Sequence, residues 1–297
     1  MRLYKHSFSI CIALLMFIRP AAAQDDAYAD ALAHIQGAVA RNQSVLSLSG
    51  RDLITLPPEI GQLTELITLN LDGNQLTTLP PEIGQLHQLM GLNIAGNRLT
   101  TLPPEIGQLR QLVSLDASTN RLTHVPPEIG QLTQLTFLHL DDNRLTDLPA
   151  EIGQLTRLRV LGLANNQLTT LTPDIRHMAR LEALLLSDNR LTALPPEIGQ
   201  MPQLTILNLA HNRLAFHPIE ISGLARLRSL DMTNNPMIPP VPPFESQPAQ
   251  RLADFLRHNP AAPFHLNGAI LLTAGLWLAL TVGTIKGLLQ LLCWRGT

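Results

Sequence analysis

Residues 66–88 read LITLNLDGNQLTTLPPEIGQLHQ, and residues 89–111 repeat them with few changes as LMGLNIAGNRLTTLPPEIGQLRQ. Aligned outward from that pair, Asn74, Asn97, Asn120, Asn143, Asn166, Asn189, Asn212 and Asn235 each follow the last by 23 residues. Arg51 holds the same place in an earlier, divergent unit. Around each asparagine lies the frame LxxLxLxxNxL, for example Leu66, Leu69, Leu71, Asn74 and Leu76. In LxL the leucines alternate with polar residues, the period-two signature of a short strand with one buried face. Leu69 and Leu71 are therefore predicted to point inward, with Thr68, Asn70 and Asp72 facing solvent. One unit cannot bury its leucines alone but stacked neighbours can, so the expected core is a continuous column behind a parallel sheet.

The frame resembles the leucine-rich repeat, in the LPPEIGQL form of bacterial repeats and of the Ras-group repeat proteins of plants and animals. The stretch NPMIPPVPPF, followed by RLADFLR, resembles their closing segment. The resemblance covers about nine units from Val45 to Phe244. It implies an α/β solenoid, a curved horseshoe with a parallel β-sheet on its concave face, helical caps, and no enzymatic activity. The asparagines fall where the chain leaves each strand, where a carboxamide can satisfy both donors and acceptors of the buried backbone. That ladder is read as structural. Proline pairs such as Pro80-Pro81 and Pro103-Pro104, each with a glycine close behind, Gly84 and Gly107, exclude a long helix on the return segment. The convex side is expected to be extended or a single helical turn.

Both ends of the chain differ from the middle. Residues 1–23 read as a signal peptide: Arg2, Lys5 and His6, an apolar core from Phe8 to Ile18, then Ala21-Ala22-Ala23. Residues 24–44 form an N-terminal helical cap, with Tyr28, Leu32, Ile35 and Val39 expected on its buried face. After the repeats (45–244), residues 245–258 are a C-terminal helical cap and 259–264 a linker. Residues 265–285, with an apolar run that reaches residue 294, match the thickness of a bilayer and are read as one transmembrane helix, followed by a short tail over 286–297. Lys286 and Arg295 on the tail agree with the positive-inside rule if the repeats lie outside the cytoplasm. Gly275, Ala279, Gly283 and Gly287 form a stripe that would let a second membrane helix approach closely, a route to a homodimer.

Composition narrows the chemistry. The chain has 297 residues, 15% charged and 45% hydrophobic, with a net charge of -2 and two lysines, Lys5 and Lys286. Such a chain has no basic face for a phosphate backbone, so nucleic acid is not an expected partner. Its two cysteines, Cys11 and Cys293, lie at opposite ends, which leaves the repeats without thiol chemistry. No His-Glu-x-x-His, phosphate loop or nucleophile elbow occurs, and no catalytic residue, cofactor or metal is assigned. His139, Asp116 and Asp141 fall on adjacent strands, but a repeat aligns polar residues in columns by default.

The outward columns of the strands are polar, small and mildly acidic. Phe137 is the one aromatic among them, with Asp116, His139, Asp141 and Asp142 around it and Asn93 nearby. An aromatic amid polar neighbours is the composition of an interface anchor; packing over neighbouring side chains is the other reading of Phe137. Arg98, Arg121, Arg144, Arg190 and Arg213, and a second ridge of glutamates from Glu59 to Glu220, read as solvated repeat residues. The chain is thus expected to be a membrane-anchored, extracytoplasmic recognition or adhesion protein, periplasmic or at the cell surface, with a protein or peptide ligand on its concave face. The alternative is a cytoplasm-facing scaffold in signal transduction, like the Ras-group proteins.

Overall fold

The computed structural model describes residues 21–216 and 218–237. Helix α1 (Ala21–Ala40) leads into nine three-residue strands: β1 (Val45–Ser47), β2 (Thr68–Asn70), β3 (Gly91–Asn93), β4 (Ser114–Asp116), β5 (Phe137–His139), β6 (Val160–Gly162), β7 (Ala183–Leu185), β8 (Ile206–Asn208) and β9 (Ser229–Asp231). They form one parallel sheet in sequence order. The register follows the repeat: Leu46 pairs with Leu69, and Leu115 with Leu138. Five-residue 3₁₀ turns, from Pro58–Gln62 to Ile219–Gly223, run opposite the strands. A proline at the first turn position presets φ and lacks the N–H that would go unpaired there.

The core is the column that the pattern predicts. Leu66, Leu69, Leu71 and Leu76 of one unit and Leu89, Leu92, Ile94 and Leu99 of the next have no solvent exposure, and each such side chain contributes about 1.5–3 kcal/mol of burial free energy. The isoleucine of every turn, such as Ile83 and Ile129, closes the column from the other side. The glycine after it has a further cause. A Cβ at Gly130 would lie 2.6 Å from the Glu151 carbonyl oxygen, so glycine lets successive turns approach at the spacing of the strands.

Three expectations change. Helix α1 begins at Ala21, ahead of the predicted start at residue 24, because alanine is the strongest helix former. Its buried face is Ala31, Ile35 and Ala38, while Val39 is 37% exposed; small side chains let the helix backbone lie close to the first unit, and the seam follows them rather than the bulkier residues. Thr68 is buried, not solvent-facing, since in-register strands stack its side chain between Val45 and Gly91. Arg51, standing where later units have asparagine, gives its guanidinium to Asp30 of α1 and its amide to Asn74 Oδ1 at 2.9 Å.

Among the described residues the last strand ends at Asp231, and the predicted C-terminal cap, the 265–285 span with its Gly275, Ala279, Gly283 and Gly287 stripe, and residues 1–20 of the predicted signal lie outside the described residues. Among the described residues no helix is long and apolar enough to cross a membrane.

Candidate binding face

The first and third residues of each strand lie on the outer side of the sheet, and the residue two positions after the third, such as Asp72 after Asn70 or Asp141 after His139, continues it. In the middle column Asn70, Asn93, Asp116, Asn208 and Asp231 share one local task. Each accepts the backbone N–H two residues on, at Asp72, Ala95, Ser118, Ala210 and Thr233, at 3.0 Å in every case. Asn93 and Asp116, both predicted as binding residues, therefore already use one oxygen on their own chain.

That column has no Asx at Ser47, His139, Gly162 and Leu185, and the middle pair, His139 and Gly162, is where a neighbouring unit takes over the task. Gly162 has no side chain to receive the Ala164 amide, and Asp141 supplies the acceptor from the preceding unit: its Oδ1 takes the Ala164 N–H at 2.8 Å. The same carboxylate occupies the space above Gly162, where a Cβ would stand 2.2 Å from Oδ2. Oδ2 also lies 3.5 Å from Nδ1 of His139, with both side chains about four-fifths buried or more. Burial disfavours the imidazolium, yet the hydrogen bond it donates to Asp141 and the negative charges of Asp116 and Asp141 outweigh that and raise the His139 pKa. Its Nε2 has no hydrogen-bond partner among the described residues. Asp72 is also raised, by burial and by the charge of Asp116, against the Gly73 amide, which lowers it.

The structure thus brings His139, Asp116 and Asp141 together, with Phe137 half-buried two residues from His139 on β5. Asp142 does not join them. It occupies the turn column, with φ of 55°, and bonds to Asn165. That column reads Gly50, Gly73, Gly96, Thr119, Asp142, Asn165, Asp188, His211 and Asn234, all left-handed, a conformation that glycine, aspartate and asparagine adopt more readily than other residues. Gly162 was missed as a site residue; the signal for it is the one position without a side chain in a mostly polar column.

Sequence patterns described as leucine-rich repeats match residues 65–86, 133–191 and 179–237, and a leucine-rich repeat region matches residues 91–160, together more than half of the chain. The chain belongs to the leucine-rich repeat family. No curated protein matches it. Among solved structures, a leucine-rich repeat protein of Leptospira interrogans is 35% identical, with a TM-score of 0.52, over 73% of this chain and 66% of that one. The plant peptide hormone receptor RGFR1 in complex with RGF2 is 34% identical, with a TM-score of 0.56, over 61% of this chain and 30% of that one. The PEPR1–AtPEP1 structure is 29% identical, with a TM-score of 0.58, over 67% and 29%. This leucine-rich repeat chain therefore spans less than a third of either of the latter two chains. Its repeats resemble receptor ectodomains, which is consistent with protein–protein recognition.

The asparagine ladder of these leucine-rich repeats is fully engaged. Asn143 accepts the Leu122 amide on Oδ1 at 2.9 Å, and its Nδ2 donates to the carbonyls of Ala117, Leu140 and Asp141 at 3.0–3.1 Å. Asn74, Asn97, Asn120, Asn166, Asn189, Asn212 and Asn235 each donate in the same way to carbonyls of their own and the preceding unit. None has a free polar group to offer a ligand.

Proposed function

We propose that this protein is a membrane-anchored, extracytoplasmic recognition or adhesion protein that holds a protein or peptide partner on the outer face of its sheet, around Phe137, His139 and Asp141. The observation that carries this reading is the break in the backbone-serving column. Where β2, β3, β4, β8 and β9 use an Asx side chain to cap their own strand, β5 and β6 place an imidazole and a bare glycine beside the one aromatic of the face. The likeness to a receptor in complex with a peptide hormone supports a peptide or protein as the occupant. The anchor and the orientation rest on the sequence of the two ends, and the leucine-rich repeat is a fold that serves binding more than catalysis.

Protease shaving of intact cells, with detection of the repeats and mass spectrometry of the N terminus, tests the topology. Cleavage of the repeats from outside is the expected result. Protection until the membrane is broken, with Met1 retained, would put the repeats in the cytoplasm as a scaffold. For a partner captured from the extracytoplasmic side, Phe137→Ala should weaken binding by about tenfold or more, and unchanged affinity would place the contact elsewhere.

A further inference from the structure

Ahead of each strand the chain climbs to the sheet through a short exposed segment. In the early units this segment carries little charge: Thr64, Glu65 and Ile67, then His87, Gln88 and Met90. Toward the far end it becomes cationic, with Arg157 and Arg159 before β6, Arg180 before β7, and Arg226 and Arg228 before β9, against one carboxylate, Glu182. Arg157, Arg180, Arg226 and Arg228 are exposed. Two open clefts lie along this edge. One, of about 650 Å³, is lined by Arg159, Ala179, Arg180, Glu182, Pro202 and Gln203. The other, of about 350 Å³, is lined by Thr205, Ala225, Arg226, Leu227 and Arg228.

The pairing within this edge is incomplete. Arg159 is satisfied: Nε and Nη2 donate to the two oxygens of Glu182 at 2.9 Å each. Arg157 and Arg226 donate only to the neutral amides of Gln134 and Gln203. The side chains of Arg180 and Arg228 have no ion pair or hydrogen bond among the described residues. Four guanidinium groups therefore line one edge without an anion among the described residues.

We infer that this edge is a second interaction surface, one that receives an acidic segment of a partner polypeptide. The Arg159–Glu182 fork shows the mode, a carboxylate borne on extended chain and gripped at both oxygens, which is the geometry a planar guanidinium favours. From β6 to β9 is three strand spacings, about 14 Å, the reach of about four extended residues. The outer columns of the sheet carry Asp72, Asp116, Asp141 and Asp231 and no arginine or lysine, so their field repels such a segment from the sheet and keeps it on the edge. This surface is separate from the face around Phe137 and does not depend on what binds there.

The test is fluorescence anisotropy of a short labelled peptide of alternating glutamate and alanine, titrated with the full-length chain. Arg180→Glu with Arg228→Glu is expected to weaken binding by about tenfold for each guanidinium reversed, and the parent's affinity should fall as salt rises. Arg98→Glu with Arg121→Glu, on the opposite edge, should leave it unchanged. Since the side chains of Arg180 and Arg228 hold no bond among the described residues, the variant should unfold at the parent's temperature, which separates lost binding from lost structure. No binding by the parent, or equal binding by the Arg180/Arg228 variant, overturns the inference. Heparin and phosphatidylserine vesicles are titrated in parallel. If either binds more tightly than the peptide and is lost in the same variant, the partner is a polyanionic glycan or a lipid surface and the assignment to a polypeptide is wrong.

Discussion

Asn143 receives an amide from one unit and gives protons to carbonyls of two, so its removal strands several buried backbone groups at once. Asn143→Ala should cost about 2–4 kcal/mol, from the Leu122 N–H and the carbonyls left without partners, read as a lower urea midpoint. His139 sets a different test at the same scale. Its pKa is raised in the folded state, so its stabilising contribution is fully present below the unfolded value of about 6.5 and is lost as pH rises through the folded value. Asp141→Asn removes the charge while keeping an oxygen for the Ala164 amide. The His139 pKa, followed by NMR, should fall in that variant, and the decline of stability from mildly acidic to mildly alkaline pH should flatten. An unchanged His139 titration would mean that Asp141 does not hold the imidazolium.

The 3₁₀ turns show how an element can be legible in kind and yet not in cause. Prolines and glycines predict a short convex segment, and the glycines read as helix breakers. The structure gives them another task, because the following turn brings a carbonyl oxygen to within 2.6 Å of where a Cβ at Gly130 would be. Gly130→Ala should therefore destabilise the protein by about 1–3 kcal/mol through overpacking, although alanine raises helix propensity; a stabilised variant would restore the simpler explanation. Helix α1 shows a miss of the opposite kind. Its seam of Ala31, Ile35 and Ala38 is hidden from a hydrophobic pattern because alanine contributes little to it, and Tyr28, Leu32 and Val39 draw the eye to a face rotated by one position. The exchange of partners among Gly162, Asp141 and His139 lies between units. It becomes visible only when residues more than twenty positions apart are set side by side.

Across the whole array, strand register, leucine column and asparagine ladder were all legible, because each follows from one residue type at one spacing. The arginine edge was also present in the letters, yet it is spread from Arg157 to Arg228 and becomes a surface only when in-register stacking gathers it. If stability is a sum of unit and nearest-neighbour terms, the period itself should be the unit of deletion. Removing residues 89–111 takes out one 23-residue unit and joins Gln88 to Leu112, where Leu112 stands in the frame that Leu89 left. The shortened chain should fold, unfold cooperatively in urea with an m-value lower by about one-ninth in line with the surface lost, and keep the His139–Asp141 contact, whose units are untouched. Deleting about half that length at the same place shifts every later leucine out of the column and should abolish the transition. A folded half-unit deletion, or a collapsed full-unit one, would mean that something other than the repeat register holds the array together.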